Sequence, residues 1–104
     1  PVVYKVYTPT IAGTLDALRA RTGSDAASAQ VLEMTRQQIH LARRRRVLTD
    51  RAIIAAARAL DAPPGYLLAA LHADMSSDPS TAATWLSAAA ALAPSGFDAS
   101  CLYY

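Results

Sequence analysis

The chain has 104 residues and a mass of 11.0 kDa, enough for one compact domain with a single modest core and too little for a multidomain enzyme. Hydrophobic residues make up 53% and charged residues 17%, with four glycines, a composition neither disordered nor collagen-like. The net charge is only +2, but alanine occupies 24 positions. Because Ala loses no side-chain entropy in a helix and crowds no neighbouring turn, the expected fold class is all-α.

Cys101 has no second cysteine to pair with, and one thiol with His40 and His72 lacks the ligand cluster of a structural zinc site. No metal, no cofactor and a reducing cytosol are expected. No apolar run approaches the roughly 20 residues needed to span a bilayer, and no charged-then-apolar segment opens the chain. A soluble, cytoplasmic protein without a membrane partner is therefore expected. Pro1 is a residue type that permits trimming of a preceding initiator Met, so Pro1 is expected to be the natural N-terminus.

The charge is lopsided. Between Thr35 and Leu60 lie Arg36, Arg43, Arg44, Arg45, Arg46, Arg51 and Arg58 against Asp50 alone, a local charge of +6, and the remainder carries −4. A basic block inside an acidic remainder points to a polyanionic partner.

In chain order, Val2–Tyr7 is β-branched and aromatic and closes at Pro9, which predicts a short strand or extended arm over 1–13. Such a strand must pair, with Cys101–Tyr104 at the end of the 94–104 tail, with its own domain or with the arm of a second copy. Thr14 is expected to cap a helix running to about Arg21, and Gly23 stands where a left-handed helix terminus belongs. Ser24 caps the next helix, Asp25 to Leu32. The chain breaks at Glu33-Met34 before Thr35 opens a third, so two short helices with about three residues between them form a helix-turn-helix candidate. Thr49 caps a fourth helix, Asp50 to Leu60, with Ile53, Ile54, Ala57 and Leu60 as its aliphatic stripe. Pro64 suits the first turn of a fifth, Tyr66 to about Asp74, with Leu67, Leu68 and Leu71 facing the core and His72 at the surface or capping. Asp78-Pro79 starts a sixth, Ser80 to Leu92, whose Ala88–Ala91 run serves either packing within the chain or a dimer seam. The architecture expected is a compact bundle of five to six short helices over residues 14–93.

The third helix, about Arg36 to Arg44, carries the functional signal. At 100° per residue Arg36, Gln37, His40 and Arg44 fall within an arc of about 100°, and Ile39 and Ala42 point the other way. Arg and Gln carry donors and acceptors that match guanine and adenine edges in the major groove, and a helix N-terminus favours phosphate. Arg36, Gln37, Gln38, His40 and Arg44 are therefore the expected base readers. Leu41, beside this arc, suits a thymine methyl. Ser24 and Thr35 at helix starts, with Arg43, Arg45 and Arg46 at the helix end, are the expected phosphate contacts.

These segments also carry a resemblance. Thr22-Gly23-Ser24, Ala29, Thr35-Arg36-Gln37-Gln38-Ile39, Arg43 and Arg46 are followed by Asp50, Ala55 and Ala59-Leu60. Pro64-Gly65-Tyr66-Leu67-Leu68, Leu71-His72-Ala73, Asp78-Pro79 and Trp85 continue the series. In this order and spacing the stretch Thr14–Leu92 resembles small phage-type helix-turn-helix regulators of the lambda-repressor-like fold. The chain departs from that pattern at Glu33 and Arg45, where the pattern has Gly, and at Ala42, where the pattern has Trp. Glu33 would need a left-handed backbone at some cost and would bring a negative charge near phosphates.

The resemblance implies a phage or prophage repressor acting in the cytoplasm of a bacterial host, associated with the nucleoid. It would bind double-stranded DNA as a homodimer, one copy of helix 36–44 in each of two successive major grooves. The alternative from another class is a protein-interaction module on the same fold, an antirepressor or host-factor inhibitor whose Arg block docks an acidic surface. No catalytic role and no small-molecule substrate are expected, since one Glu, one Cys and two separated His residues form no supported acid–base or nucleophilic cluster.

Overall fold

A computed structural model describes residues 9–94. The expected arm over 1–8 and the tail from 95 onward lie outside these described residues, and so does the pairing expected of them. The described residues form six helices and no strand: α1 (Ile11–Thr22), α2 (Asp25–Leu32), α3 (Arg36–Arg45), α4 (Asp50–Ala59), α5 (Pro64–Met75) and α6 (Pro79–Leu92). The all-α expectation is met.

Side-chain oxygens set most of the helix starts, as short polar residues do when they accept from otherwise orphaned N–H groups. Ser24 accepts from Ala27 N at 3.0 Å, Thr49 from Ala52 N at 3.2 Å, and Asp78 from Thr81 N at 2.8 Å. At α3 the cap is reciprocal. Gln38 N donates to Thr35 Oγ1 at 3.0 Å while Thr35 N donates to Gln38 Oε1 at 2.8 Å, a capping box that satisfies two donors at once.

The start of α1 corrects one expectation. Thr10 is the cap, accepting from Gly13 N at 3.0 Å, and Thr14 lies inside the helix with 1% exposure. The reason is burial: starting the helix at Ile11 puts Ile11, Leu15 and Leu18 on one face, all buried. A residue of α5 then completes the cap, because Ile11 N donates to Asp74 Oδ2 at 2.8 Å. Helix, not arm, therefore occupies 11–13.

Left-handed residues end α1, α2 and α3, and a fourth stands in the turn after α4. Gly23, at φ 102°, returns its N–H to Arg19 O at 2.8 Å, a conformation that costs Gly little. Glu33, Arg46 and Asp61 adopt φ of 55°, 56° and 55° with a Cβ in place. Each therefore carries strain that a glycine would lack.

Helices α1 to α5 enclose one core, in which Ile11, Leu18, Ile39, Ile53, Leu67 and Leu71 are all but inaccessible to solvent. Helix α6 stands outside it and packs on α5 through a small second cluster, Ala69, Ala70 and Ala89. Alanines there let the two helices approach closely. Gly65 at the start of α5 lies beside Leu92 at the end of α6, and His72 stacks on Trp85 with ring centroids 4.7 Å apart, so α5 and α6 run antiparallel. The Ala-rich run of α6 is divided: Ala89 is buried against α5, and Ala90 and Ala91 are exposed. His72, expected at the surface or as a cap, instead ties three helices together, since its Nε2 also lies 2.7 Å from Oδ1 of Asp50 on α4.

Candidate nucleic-acid interface

Helix α3 is anchored through Ile39 and Ala42, which are buried, and three residues, Glu33 to Thr35, join it to α2. Its opposite side carries Gln37, His40 and Arg44, with Arg36 on the flank, and all four are exposed. Arg36, Gln37 and His40 come together with Asp25 around a shallow open hollow, and Arg44 follows one turn beyond His40. These four of the five expected base readers share one surface. Gln38 stands apart from them, because its carboxamide oxygen is committed to the Thr35 N–H. Leu41 is half-buried on the far flank, lining a second hollow with Met34, Arg45 and Val47.

The expected phosphate contacts divide similarly. Ser24 and Thr35 use their hydroxyl oxygens as acceptors for the α2 and α3 caps, which leaves each O–H proton free to donate outward. Arg45 and Arg46 are exposed at the end of α3. Arg43 is placed elsewhere, on the flank of α3 that faces α1 and α2. Its guanidinium lies between two carboxylates, 3.3 Å from Asp25 Oδ1 on α2 and in contact with Asp16 Oδ1 on α1. The cause is helical phase: Arg43 follows Ile39 by four residues and so shares the inward flank of α3.

Two residues that sequence patterns did not single out shape this surface. Arg51 of α4 pairs with Glu33, so the carboxylate at the turn before α3 is neutralised by its own protein. Asp25 belongs both to the Arg43 pair and to the hollow beside Arg36. Neither role has a local signal, since the partners are 18 residues apart in each pair.

A census of the charges gives the surface its sign. The seven described carboxylates all have partners within the chain: Asp16 and Asp25 with Arg43, Glu33 with Arg51, Asp50 with His72, Asp61 with Arg21, Asp74 with the Ile11 N–H, and Asp78 with Thr81. Thr81 donates both its hydroxyl and its N–H to Asp78, which lowers that carboxyl below its ordinary value. Among the described residues, Arg36, Arg44, Arg45 and Arg46 have no carboxylate within ion-pair distance. Helix α3 and its cap thus present four cations without a counter-charge among the described residues, Arg36 at the electropositive N-terminal end and Arg44, Arg45 and Arg46 at the C-terminal end. This arrangement can hold an extended polyanion and offer it directional donors.

Among the described residues no three His, Cys, Asp or Glu side chains gather as a metal-binding group, and no helix is long and apolar enough to cross a membrane. No family model, no curated protein and no solved structure matches this chain.

Proposed function

We propose that this protein is a sequence-specific regulator that binds double-stranded DNA, with α2, the Glu33–Thr35 turn and α3 acting as a helix-turn-helix and α3 lying in the major groove. It works as a homodimer and as a repressor, in the cytoplasm of a bacterial host. The observation that carries this reading is the charge arrangement: among the described residues four arginines of α3 and its cap lack counter-charges, while every described carboxylate is engaged inside the chain. A phosphate backbone supplies the missing anions, and its neutralisation by Arg releases condensed counterions.

The roles follow from placement. Arg36, Gln37, His40 and Arg44 face outward together and read base edges, with Arg and Gln suited to guanine and adenine. Arg45, Arg46 and the free hydroxyl protons of Ser24 and Thr35 hold phosphates and set the register. Gln38 keeps α3 capped, and Arg43 fixes its orientation. Two copies would then recognise inverted half-sites about one helical turn apart.

The test is binding of the full chain to a preferred and to a random duplex over a range of salt concentrations. Arg46→Ala lowers affinity for both duplexes alike and reduces the salt slope by about one. Gln37→Ala weakens only the preferred duplex and relaxes choice at one base pair. Equal effects of the two substitutions on both duplexes would contradict these roles.

A further inference from the structure

Beside the outward face of α3, three open hollows join end to end. One lies between the end of α2 and α4, with Val31, Ile54 and Ala55 as its floor. It shares Glu33 and Arg51 with a middle hollow under the α2–α3 turn. That one in turn shares Met34 and Gln38 with a third, along the far flank of α3, where Leu41 and Val47 form the floor. Val31 and Val47, two of the large apolar side chains the chain leaves exposed, at 38% and 56%, mark the two ends of the groove.

The rim is basic. Arg58 stands at one end and Arg45 at the other, and neither has a carboxylate partner among the described residues. The one acid in the groove, Glu33, is already tied to Arg51. An apolar floor does not suit a phosphate backbone, which is hydrated and needs donors along its whole length. A second copy of this chain offers no unengaged carboxylate among its described residues to meet Arg45 and Arg58.

We propose that this groove docks a segment of a different protein in which apolar side chains are flanked by carboxylates, the apolar residues resting on Val31, Ile54 and Val47 and the acids meeting Arg58 and Arg45. Such a partner would sit on the flank of the α2–α3 turn and leave Arg36, Gln37, His40 and Arg44 uncovered. The groove shares Arg45 with the phosphate contacts proposed above and is otherwise independent of what those four residues bind. An interface of this kind draws affinity from its apolar contacts and selectivity from its charged rim.

The experiment is selection of a displayed library of random short peptides on the full chain at about 0.15 M salt, where loosely held surface charges are screened. The enriched peptides are expected to combine Asp or Glu with Leu, Ile or Phe. A synthetic copy of the best one should lose about tenfold or more in affinity with Arg58→Glu or with Val31→Ser, and retain it with Arg58→Lys or Gln37→Ala. Amide spectra of each variant confirm that it is folded. No enrichment overturns the proposal, as do enriched peptides without acids, binding indifferent to Arg58→Glu, or binding that perturbs α6 in place of Val31, Ile54 and Val47.

Discussion

Nη2 of Arg43 lies 3.3 Å from Oδ1 of Asp25, and the same guanidinium meets Asp16 on its other side. One side chain of α3 is thus held by carboxylates from both preceding helices, beside the buried Ile39 and Ala42 that anchor the helix. Because the pair is partly exposed, Arg43→Met should cost only about 0.5–1 kcal/mol of stability. It should leave the salt slope of DNA binding unchanged, since Arg43 has its anions already. Denaturant unfolding and a salt series measure the two effects. A slope lowered by about one would place Arg43 on a phosphate.

The hydroxyl of Thr14 is buried without a hydrogen-bond partner among the described residues. Burying an unpaired hydroxyl costs about 1–3 kcal/mol, and valine has nearly the same shape without the oxygen. Thr14→Val should therefore stabilise the fold by about 1 kcal/mol, seen as a higher denaturant midpoint at unchanged slope. A destabilised variant would mean that the hydroxyl has found a partner.

Glu33 holds a left-handed backbone at φ 55° and ψ 43°. Relief of that strain is worth about 1–2 kcal/mol, offset by about 0.5–1 kcal/mol for the greater freedom of glycine in the unfolded chain. The exposed pair with Arg51 adds little. Glu33→Gly should thus raise stability by roughly 0.5 kcal/mol and, on the proposed reading, tighten DNA binding by removing a nearby negative charge. Thermal unfolding and duplex titration check both parts. Loss of stability would show that the Arg51 pair outweighs the strain.

The caps show what was legible in the sequence. Ser24, Thr35, Thr49 and Asp78 all cap where their position predicts, because a capping oxygen acts on an N–H only three residues away. The start of α1 was not legible locally. Thr10 and Thr14 are equally able to cap, and the choice depends on burying Ile11 and on Asp74, 63 residues along the chain. The outward arc of α3 was legible for the same reason as the caps, since helical periodicity alone separates Arg36, Gln37, His40 and Arg44 from Ile39 and Ala42. Which arginines keep their charge free was not. Arg43 and Arg51 are neutralised by acids brought to them from other helices, and Gln38 is withdrawn by its own cap.

Asp78 provides a pH-dependent element. Its carboxyl is lowered by the Thr81 hydroxyl and N–H, so the cap stabilises α6 above the ordinary carboxylate range, and that stabilisation is lost as pH falls through the lowered value. Asp78→Ala should therefore melt below the natural chain at neutral pH, with the difference shrinking towards zero in strong acid. Circular dichroism melts over that pH range test it. A difference that persists in acid would mean that the carboxylate form of Asp78 is not what caps α6.

The central claim is that the outward face of α3 reads DNA sequence. Its most direct test is selection of the full chain on a pool of random duplexes at about 0.15 M salt, with sequencing of what is retained. The account predicts an enriched inverted repeat with half-sites about one helical turn apart, whose preferred bases change with Gln37→Ala or Arg44→Ala. Retention without any enriched sequence would contradict it, leaving α3 as a basic surface that holds polyanions without reading them.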